Sequence, residues 1–381
     1  MKICIVTEVY YPFIGGISEH IYNLKLNLKE LGHKVKILTS EYGGNSYDRD
    51  PDVHRIGRAF KFRKAGSHYL ITLGYNLSRQ VKDFLTGENF DIIHIQGPIA
   101  PVLPYLALRY STTTNIATFH SALVSSIGYT LFTPILEQYF SRLHGLIAVS
   151  EVARNAMARY FPGEYHIIPN GVDTERFNPR VQPRKELINR KPIILFVNRL
   201  EPRKGLKYLI QALPKILKVF PDVTLVIVGD GKPDSLCRRL IERDLKEKVI
   251  LVGKVAPDEI ASYYASCDLF CAPSIGLESF GIVLLEAMAS ARPIIAADID
   301  GFHSVLTQGE EGLFFRVGDP DSIADVAIKI LKNRELGLKL GEAGRRKALL
   351  YDWRKITRDI ENFYKEAAER GPRKKTDSPD F

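Results

Sequence analysis

Two carboxylates separated by seven residues, Glu278 and Glu286, stand in the run 272–293, APSIGLESFGIVLLEAMASARP. Residues 267–272 (CDLFCA) are an apolar run of strand length, ended by the turn residues Pro273, Ser274 and Gly276. From Gly281 onward Ile282, Leu285, Glu286, Met288 and Ala289 include strong helix formers, so the spacing predicts a helix reaching Arg292 and Pro293. A strand thus opens through a loop into a helix N-terminus. Backbone amides and the positive dipole end at Ser279, Phe280, Gly281 and Ile282 suit an anionic diphosphate or electron-rich sugar oxygens, and Gly281 permits close approach. Glu278 lies just outside the helix and Glu286 eight residues on, roughly 12 Å along the axis. One carboxylate can take sugar hydroxyls and the other ribose hydroxyls. Taken alone, the pair equally fits a dipole-complementing carboxylate and a solvated helix residue.

Comparable chemistry is spelled out in three other places. Residues 198–205 (NRLEPRKG) follow an apolar run, 193–197, and precede a helix. Arg199 and Lys204 can therefore converge on a departing diphosphate, although isolated residues of this kind are commonly surface charges. Gly15 and Gly16 precede a helix over about 17–31 and form an anion-friendly turn. His120 ends a strand, 115–120 (NIATFH), where ligands of parallel sheets bind; His94 lies inside its strand and reads as a hydrogen-bonded core histidine.

Residues 54–68 hold Arg55, Arg58, Lys61, Arg63 and Lys64, with Phe60 and Phe62 interleaved and no carboxylate. Such a stretch fits anionic lipid headgroups or a phosphate-bearing acceptor, and it also fits a solvated loop and edge strand.

The string E-S-F-G-I-V-L-L-E-A-M-A, beginning at Glu278, resembles the signature of family 4 glycosyltransferases, retaining enzymes of the two-domain GT-B fold. Its longer form, C-A-P-x-x-G-x-E-S-F-G-I-V-L-x-E-A-M-A, is similar to that of the bacterial phosphatidylinositol mannosyltransferases. G-G-x-x-x-H (Gly15, Gly16, His20), T-F-H ending at His120 and R-x-x-P-x-K-G (Arg199 to Gly205) occur in the family's order. The resemblance implies that Gly15 and Gly16 face the donor diphosphate and that His120 is a neutral hydrogen-bonding group beside the reacting sugar. It further implies that Arg199 and Lys204 stabilise the diphosphate, Glu278 orients the hexose, Glu286 holds the ribose, and the backbone at Val255 contacts the nucleobase. The basic stretch would contribute to acceptor and membrane contact. Two positions depart from the family pattern: Ala291 replaces a helix-ending glycine, implying a turn built without positive φ, and Gly301, Phe302 and His303 replace G-G-x-x-E.

A chain of 381 residues with 45% hydrophobic composition is long for one core and predicts two domains. Strand-like and helix-like segments alternate, so the fold class expected is α/β, with two doubly wound Rossmann-like halves. We place the first domain at 1–180, a hinge-like linker within 173–190, and the second domain at 191–353. The resemblance implies that a C-terminal helix at about 354–370 returns to the first domain, and the composition of 371–381 predicts a polar, disordered tail. Cys4, Cys237, Cys267 and Cys271 are scattered and read as reduced core residues, without metal-site spacing. Near Asp230 the incomplete G-x-G-x-x-G argues against a dinucleotide site.

The longest apolar runs are interrupted by proline, and no leader pattern opens the chain, so the expectation is a cytoplasmic protein; the resemblance, with the basic stretch, implies that it lies peripherally on the inner membrane face. A net charge of +9 favours anionic partners and leaves nucleotide-sugars, lipid headgroups and nucleic acid open; the resemblance implies a nucleotide-sugar, GDP-mannose first, and an anionic phospholipid or membrane surface. Aromatic and basic residues form no recognised nucleic-acid module. No motif calls for a divalent metal. The reading is a hexose transfer to a phosphatidylinositol-type lipid; the alternatives are a UDP-sugar with another acceptor, and a non-catalytic nucleotide-sugar-binding protein.

Overall fold

The computed structural model describes residues 1–13, 15–42, 50–64, 67–98, 102–120 and 138–371. The expected tail beyond residue 371 lies outside these residues.

In chain order the first elements are β1 (Lys2–Val6), α1 (Gly16–Glu30), β2 (Lys34–Ser40), β3 (Val53–Ile56), β4 (Arg58–Lys64), β5 (Ser67–Leu73), α2 (Leu77–Glu88) and β6 (Ile92–Gln96). Then follow α3 (Leu103–Tyr110), β7 (Thr114–Phe119), β8 (Gly145–Ala148), α4 (Glu151–Ala158) and β9 (Tyr165–Ile167). The next stretch holds β10 (Ile193–Val197), α5 (Leu206–Leu217), β11 (Thr224–Val228), α6 (Ser235–Leu240), β12 (Val249–Gly253), α7 (Ile260–Ser266) and β13 (Leu269–Ala272). It ends with α8 (Ile282–Ala289), β14 (Ile294–Ala297), α9 (Asp300–His303), β15 (Gly312–Phe315), α10 (Pro320–Lys332), α11 (Arg334–Ala348) and α12 (Trp353–Arg370).

The chain divides into two compact units, one made of residues 1–170 and 353 onward, the other Gly171–Asp352. In the first, seven parallel strands run in the order β3-β2-β1-β6-β7-β8-β9. In the second, six parallel strands run β12-β11-β10-β13-β14-β15. Isoleucine, valine and leucine fill these strands because both sheet faces are buried under helices. Each sheet reverses its order once, between β1 and β6 and between β10 and β13. Ligands of such sheets bind beyond the strand carboxyl ends at that reversal.

Helix α12 completes the first unit. Trp353, Ile356, Ile360, Phe363, Tyr364 and Ala367 recur at helical spacing, and all are buried with Ile21, Leu24 and Leu28 of α1 in one core. Gly145 makes room for this packing: a Cβ there would sit 2.6 Å from the Phe363 ring.

Three expectations need correction. Residues 173–190 are not a linker, and the first unit ends at Asn170 rather than 180. Phe177 and Leu187 are buried, Phe177 edge-on to Tyr264, and the Arg345 guanidinium donates to the carbonyls of Thr174, Phe177 and Ala289. A polar composition concealed two apolar anchors. Strand β12 stops at Gly253, whose φ of 81° turns the chain and leaves Val255 in the loop beyond. Ala291 does adopt positive φ, 53°. The turn keeps the glycine geometry with an alanine in it, closed by Ala291 N donating to Met288 O and Arg292 N to Ala287 O.

A Cβ in the left-handed region costs about 1 kcal/mol. Ala291→Gly should therefore stabilise the Gly171–Asp352 unit by about that amount, read as a higher denaturant midpoint of that unit's unfolding. A lower midpoint would show that the turn carries no such strain.

Candidate active site

In the second unit the chain leaves β10 at Asn198 and forms a tight 3₁₀ turn, Pro202–Lys204, before Gly205 (φ 72°) opens α5. A Cβ on Gly205 would lie 1.7 Å from Pro273 O, so this loop is pressed against the end of β13 across the sheet's reversal point. Ile275 N donates to Arg203 O at 2.9 Å, stitching the two loops together.

The side chains converge accordingly. Lys204, only 6% exposed, pairs its ammonium with Glu278 Oε1. That oxygen also accepts from Ser274 Oγ at 3.0 Å and lies 3.5 Å from an Arg203 guanidinium nitrogen. Arg203 and Arg199 in turn clasp Glu201, at 3.0 and 2.9 Å. Burial pushes the Lys204 amine below its ordinary pKa, and the Glu278 carboxylate opposes that shift. Cations and carboxylates thus alternate as Arg199, Glu201, Arg203, Glu278, Lys204, an arrangement that offers both positive charge and hydroxyl acceptors at one strand edge.

Beyond Glu278, left-handed backbone at Gly276 (φ 143°), Leu277 (57°) and Gly281 (105°) shapes the loop into α8. No side chain caps that helix and no acidic residue stands in its first turn. Phe280 is buried, while Ser279 and Ile282 are partly exposed at the helix start. Gly301 and Phe302 of the four-residue helix α9 brace this loop. A Cβ on Gly301 would lie 2.1 Å from Glu278 O, and one on Gly281 would lie 2.9 Å from the Phe302 ring. Glu286 receives the hydroxyl of fully buried Tyr264 at 2.7 Å, which orients the carboxylate. Burial and that carboxylate hold Tyr264 well above the ordinary tyrosine pKa, so its hydroxyl stays a donor.

In the first unit, Gly15 precedes α1 in extended backbone, and Gly16 begins the helix without a side-chain cap. His120 follows β7, its Nε2 2.6 Å from Gln96 Oε1. The buried ring of His20 stands edge-on to His120 at 4.7 Å and to Trp353 at 4.9 Å, with its Nδ1 2.9 Å from Asn170 Oδ1. Burial pushes His20 down to about 4 and His120 well below the ordinary histidine value, the neighbouring imidazoles adding to the latter. His94, likewise buried, bonds to Tyr364 and Thr118. Glu8, just past β1, is buried as well; it accepts from Leu103 N at 2.7 Å and from Thr72 of β5.

The basic stretch divides into two parts. Arg55 is on β3 and spends its guanidinium on the carbonyls of Ser40 and Tyr11, serving the unit's own backbone. Arg58, Phe60 and Lys61 are exposed on β4, which among the described strands pairs antiparallel with β5 in a separate ribbon. Phe60 and Leu73 share one face of that ribbon, each 50% exposed. The side chains of Phe62, Arg63 and Lys64 lie outside the described residues.

Four groups that complete these sites were missed in the sequence: Glu201 and Arg203, which sit inside the quoted NRLEPRKG string as alternating charges, and Tyr264 and Gln96, which have no local signal because their partners come from other elements. Among the described residues no cluster of three or more His, Cys, Asp or Glu side chains could hold a metal ion. No helix among them is long and apolar enough to cross a membrane.

Residues 14–176 match the family described as Glycosyltransferase Family 4, and residues 179–347 that described as Glycosyl transferases group 1. The phosphatidyl-myo-inositol mannosyltransferase of Mycolicibacterium smegmatis is 34% identical over 370 residues, 96% of this chain and 93% of that protein. The chain belongs to glycosyltransferase family 4. It is a hexosyltransferase with the GT-B fold. Among solved structures, sucrose-phosphate synthase of Thermosynechococcus elongatus superposes with a TM-score of 0.76 at 21% identity, covering 96% of this chain and 98% of that one. Anabaena Alr3699/HepE, solved with UDP-glucose, gives 0.75 at 19% identity over 96% and 100%.

Neutral buried histidines make this glycosyltransferase acid-sensitive with a definite sign. His20 has a folded pKa of about 4 against 6.5 when exposed, so between those values the unfolded chain binds the extra proton. Stability is therefore full above about pH 6.5 and declines toward pH 4, His20 alone contributing a loss on the order of 3 kcal/mol. Chemical denaturation across that range should show the decline, and His20→Gln should flatten it. An equal decline in the variant would remove His20 as its source.

Proposed function

We propose that this chain transfers mannose from GDP-mannose, with retention of anomeric configuration, to a phosphatidylinositol-type lipid at the inner face of the cell membrane. The observation that carries the reading of the site is the Lys204–Glu278 pair at the reversal point of the second sheet, inside a string of alternating cations and carboxylates. The relative from M. smegmatis, similar along nearly the whole chain, supports the choice of mannose and of an inositol lipid.

In this reading Arg199 and Lys204 receive the negative charge that develops on the diphosphate, helped by the amides at the start of α8. Glu278, already neutralised by Lys204 and held by Ser274, accepts sugar hydroxyls rather than attacking the anomeric carbon. Glu286, aimed by Tyr264, takes the ribose. The bond from anomeric carbon to phosphate oxygen breaks with its electron pair moving to the diphosphate. The acceptor hydroxyl oxygen bonds to the same face of that carbon and gives its proton to the departing phosphate oxygen. Gly15, Gly16 and His120 supply neutral hydrogen bonding, and Val255 meets the base through its backbone. Arg58, Phe60 and Lys61, cationic and aromatic on an exposed ribbon, suit an anionic lipid surface.

Two measurements test this. Turnover of GDP-mannose, UDP-glucose and UDP-N-acetylglucosamine, each with and without vesicles containing phosphatidylinositol, should show GDP-mannose consumption that depends on the vesicles. Preference for a UDP-sugar without them would discard both donor and acceptor. Lys204→Ala should lower turnover at least about tenfold, and near-normal turnover would take Lys204 out of the mechanism.

A further inference from the structure

The loop between β13 and Glu278 holds a bulky side chain where backbone sterics disfavour one. Among the described residues, four that are not glycine have positive φ: Asn76, Asn89, Leu277 and Ala291. Asparagine enters that region readily, and alanine has no atom beyond Cβ to accommodate. Leu277, at φ 57°, is a branched side chain in the same region, and 49% of it is exposed. Burial therefore offsets only part of the strain. Glycine or asparagine would make the turn at lower cost, and strain that the fold does not require points to function.

The strained residue stands one position before Glu278. Its carbonyl oxygen lies 3.4 Å from the Arg203 guanidinium nitrogen that is 3.5 Å from Glu278 Oε1. Two residues earlier, Ile275 N donates to Arg203 O. The backbone on both sides of Gly276 is thus tied to the Arg203 loop, while Pro273 and Ser274 before it are buried. The side chains left at the surface are Ile275, 41% exposed, and Leu277. They form an exposed apolar pair beside a site otherwise built from Arg199, Glu201, Arg203, Lys204 and Glu278. Those charged groups can bind hydroxyls and a diphosphate. They cannot repel water.

We propose that Leu277, with Ile275, is a specificity-determining residue: an apolar lip that covers the C–H groups of the hexose held by Glu278 and keeps water from the anomeric carbon. The inference rests on the transferase reading above. In the reaction that the lip suppresses, a water oxygen bonds to the anomeric carbon. The bond from that carbon to the phosphate oxygen breaks with its electron pair moving to the diphosphate, and one water proton passes to the departing oxygen. Free hexose and nucleoside diphosphate result. Arg199 and Lys204 stabilise the same leaving group whether the attacking oxygen belongs to the acceptor or to water, so discrimination falls to whatever excludes water.

The test uses the full-length protein and measures free hexose released from GDP-mannose, UDP-glucose and UDP-N-acetylglucosamine in the absence of vesicles. In Leu277→Gly, a residue that suits the backbone, hydrolysis of at least one of the three donors should rise severalfold over the unmodified protein. The Kd of the matching nucleoside diphosphate should stay the same, because the lip meets the sugar. Leu277→Met restores an apolar side chain and should return hydrolysis to the unmodified level. A leucine that only supports the fold would give the opposite sign, with hydrolysis falling when it is removed. Ile275 lies outside the strained position, so Ile275→Ser decides the matter if Leu277→Gly does not fold; hydrolysis should rise there too. Hydrolysis of all three donors that falls or stays unchanged in the deciding variant would overturn the proposal, as would a rise in Leu277→Met equal to that in Leu277→Gly. A rise confined to a UDP-sugar would overturn the GDP-mannose assignment and leave the lip standing.

Discussion

A buried ammonium needs a carboxylate, and the second unit is arranged around that need. Lys204 is enclosed, and its partner Glu278 comes from a different loop, beyond a different strand. Removing one member of such a pair leaves an uncompensated charge costing about 3–5 kcal/mol, so the two loops are bound to each other by electrostatics as well as by packing. The pair forms only because Gly205 lets the first loop lie against Pro273 O and Gly301 lets α9 close on Glu278 O. Each glycine marks a point where one backbone must approach another closely. The site is thus an outcome of backbone crowding at the reversal point of the sheet, with Ser274 and Arg203 fixing the carboxylate that results.

The first unit meets the same topology with opposite chemistry. Its reversal point is lined with imidazoles that burial keeps neutral, His20 and His120 edge to face, and His94 behind them. A charged histidine here would bring an unpaired cation into a buried cluster of like groups. Neutral rings can donate and accept hydrogen bonds without imposing a field, which suits a surface that meets sugar hydroxyls. The second unit gathers paired charges at its reversal point, and the first gathers neutral rings. Among the described residues, His20 and Gln96 are placed against His120, whereas arginine and lysine gather around Glu278.

The sequence made the parallel α/β architecture legible because each β–loop–α unit carries its own local signature: a run such as IILFV, then polar turn residues, then amphipathic spacing. The residues sitting in those loops, Arg199, Lys204 and Glu278, could be named for the same reason. Their partners could not. Tyr264 reaches Glu286 from a preceding helix, and Gln96 reaches His120 from the adjacent strand, contacts that depend on strand order rather than on spacing. Residues 173–190 misled because their composition is that of a linker, whereas Phe177, Leu187 and the Thr174 and Phe177 carbonyls held by Arg345 tie them down. Arg55 misled in the other direction, as a cation in an apparently solvated run that is committed to backbone carbonyls.

The two departures from the family pattern have different physical meanings. At Ala291 the geometry that favours glycine is retained and the residue is not, so the chain carries a strained turn under α11, where a Cβ on Gly341 would lie 2.4 Å from Ala291 O. The crowding that fixes the turn comes from the neighbouring helix, and it holds whether or not the turn residue is ideal. At 301–303 the residues differ from that pattern, and their packing in this chain is close. Gly301 is required by the Glu278 carbonyl beside it, and the Phe302 ring packs over the position a Gly281 side chain would occupy. His303 turns away to an exposed pair with Asp298. The substituted segment therefore braces the Glu278–Gly281 loop with an apolar ring and a close backbone approach. That support stands on the far side of Glu278 from its side-chain partner: the carbonyl meets Gly301, and the carboxylate meets Lys204.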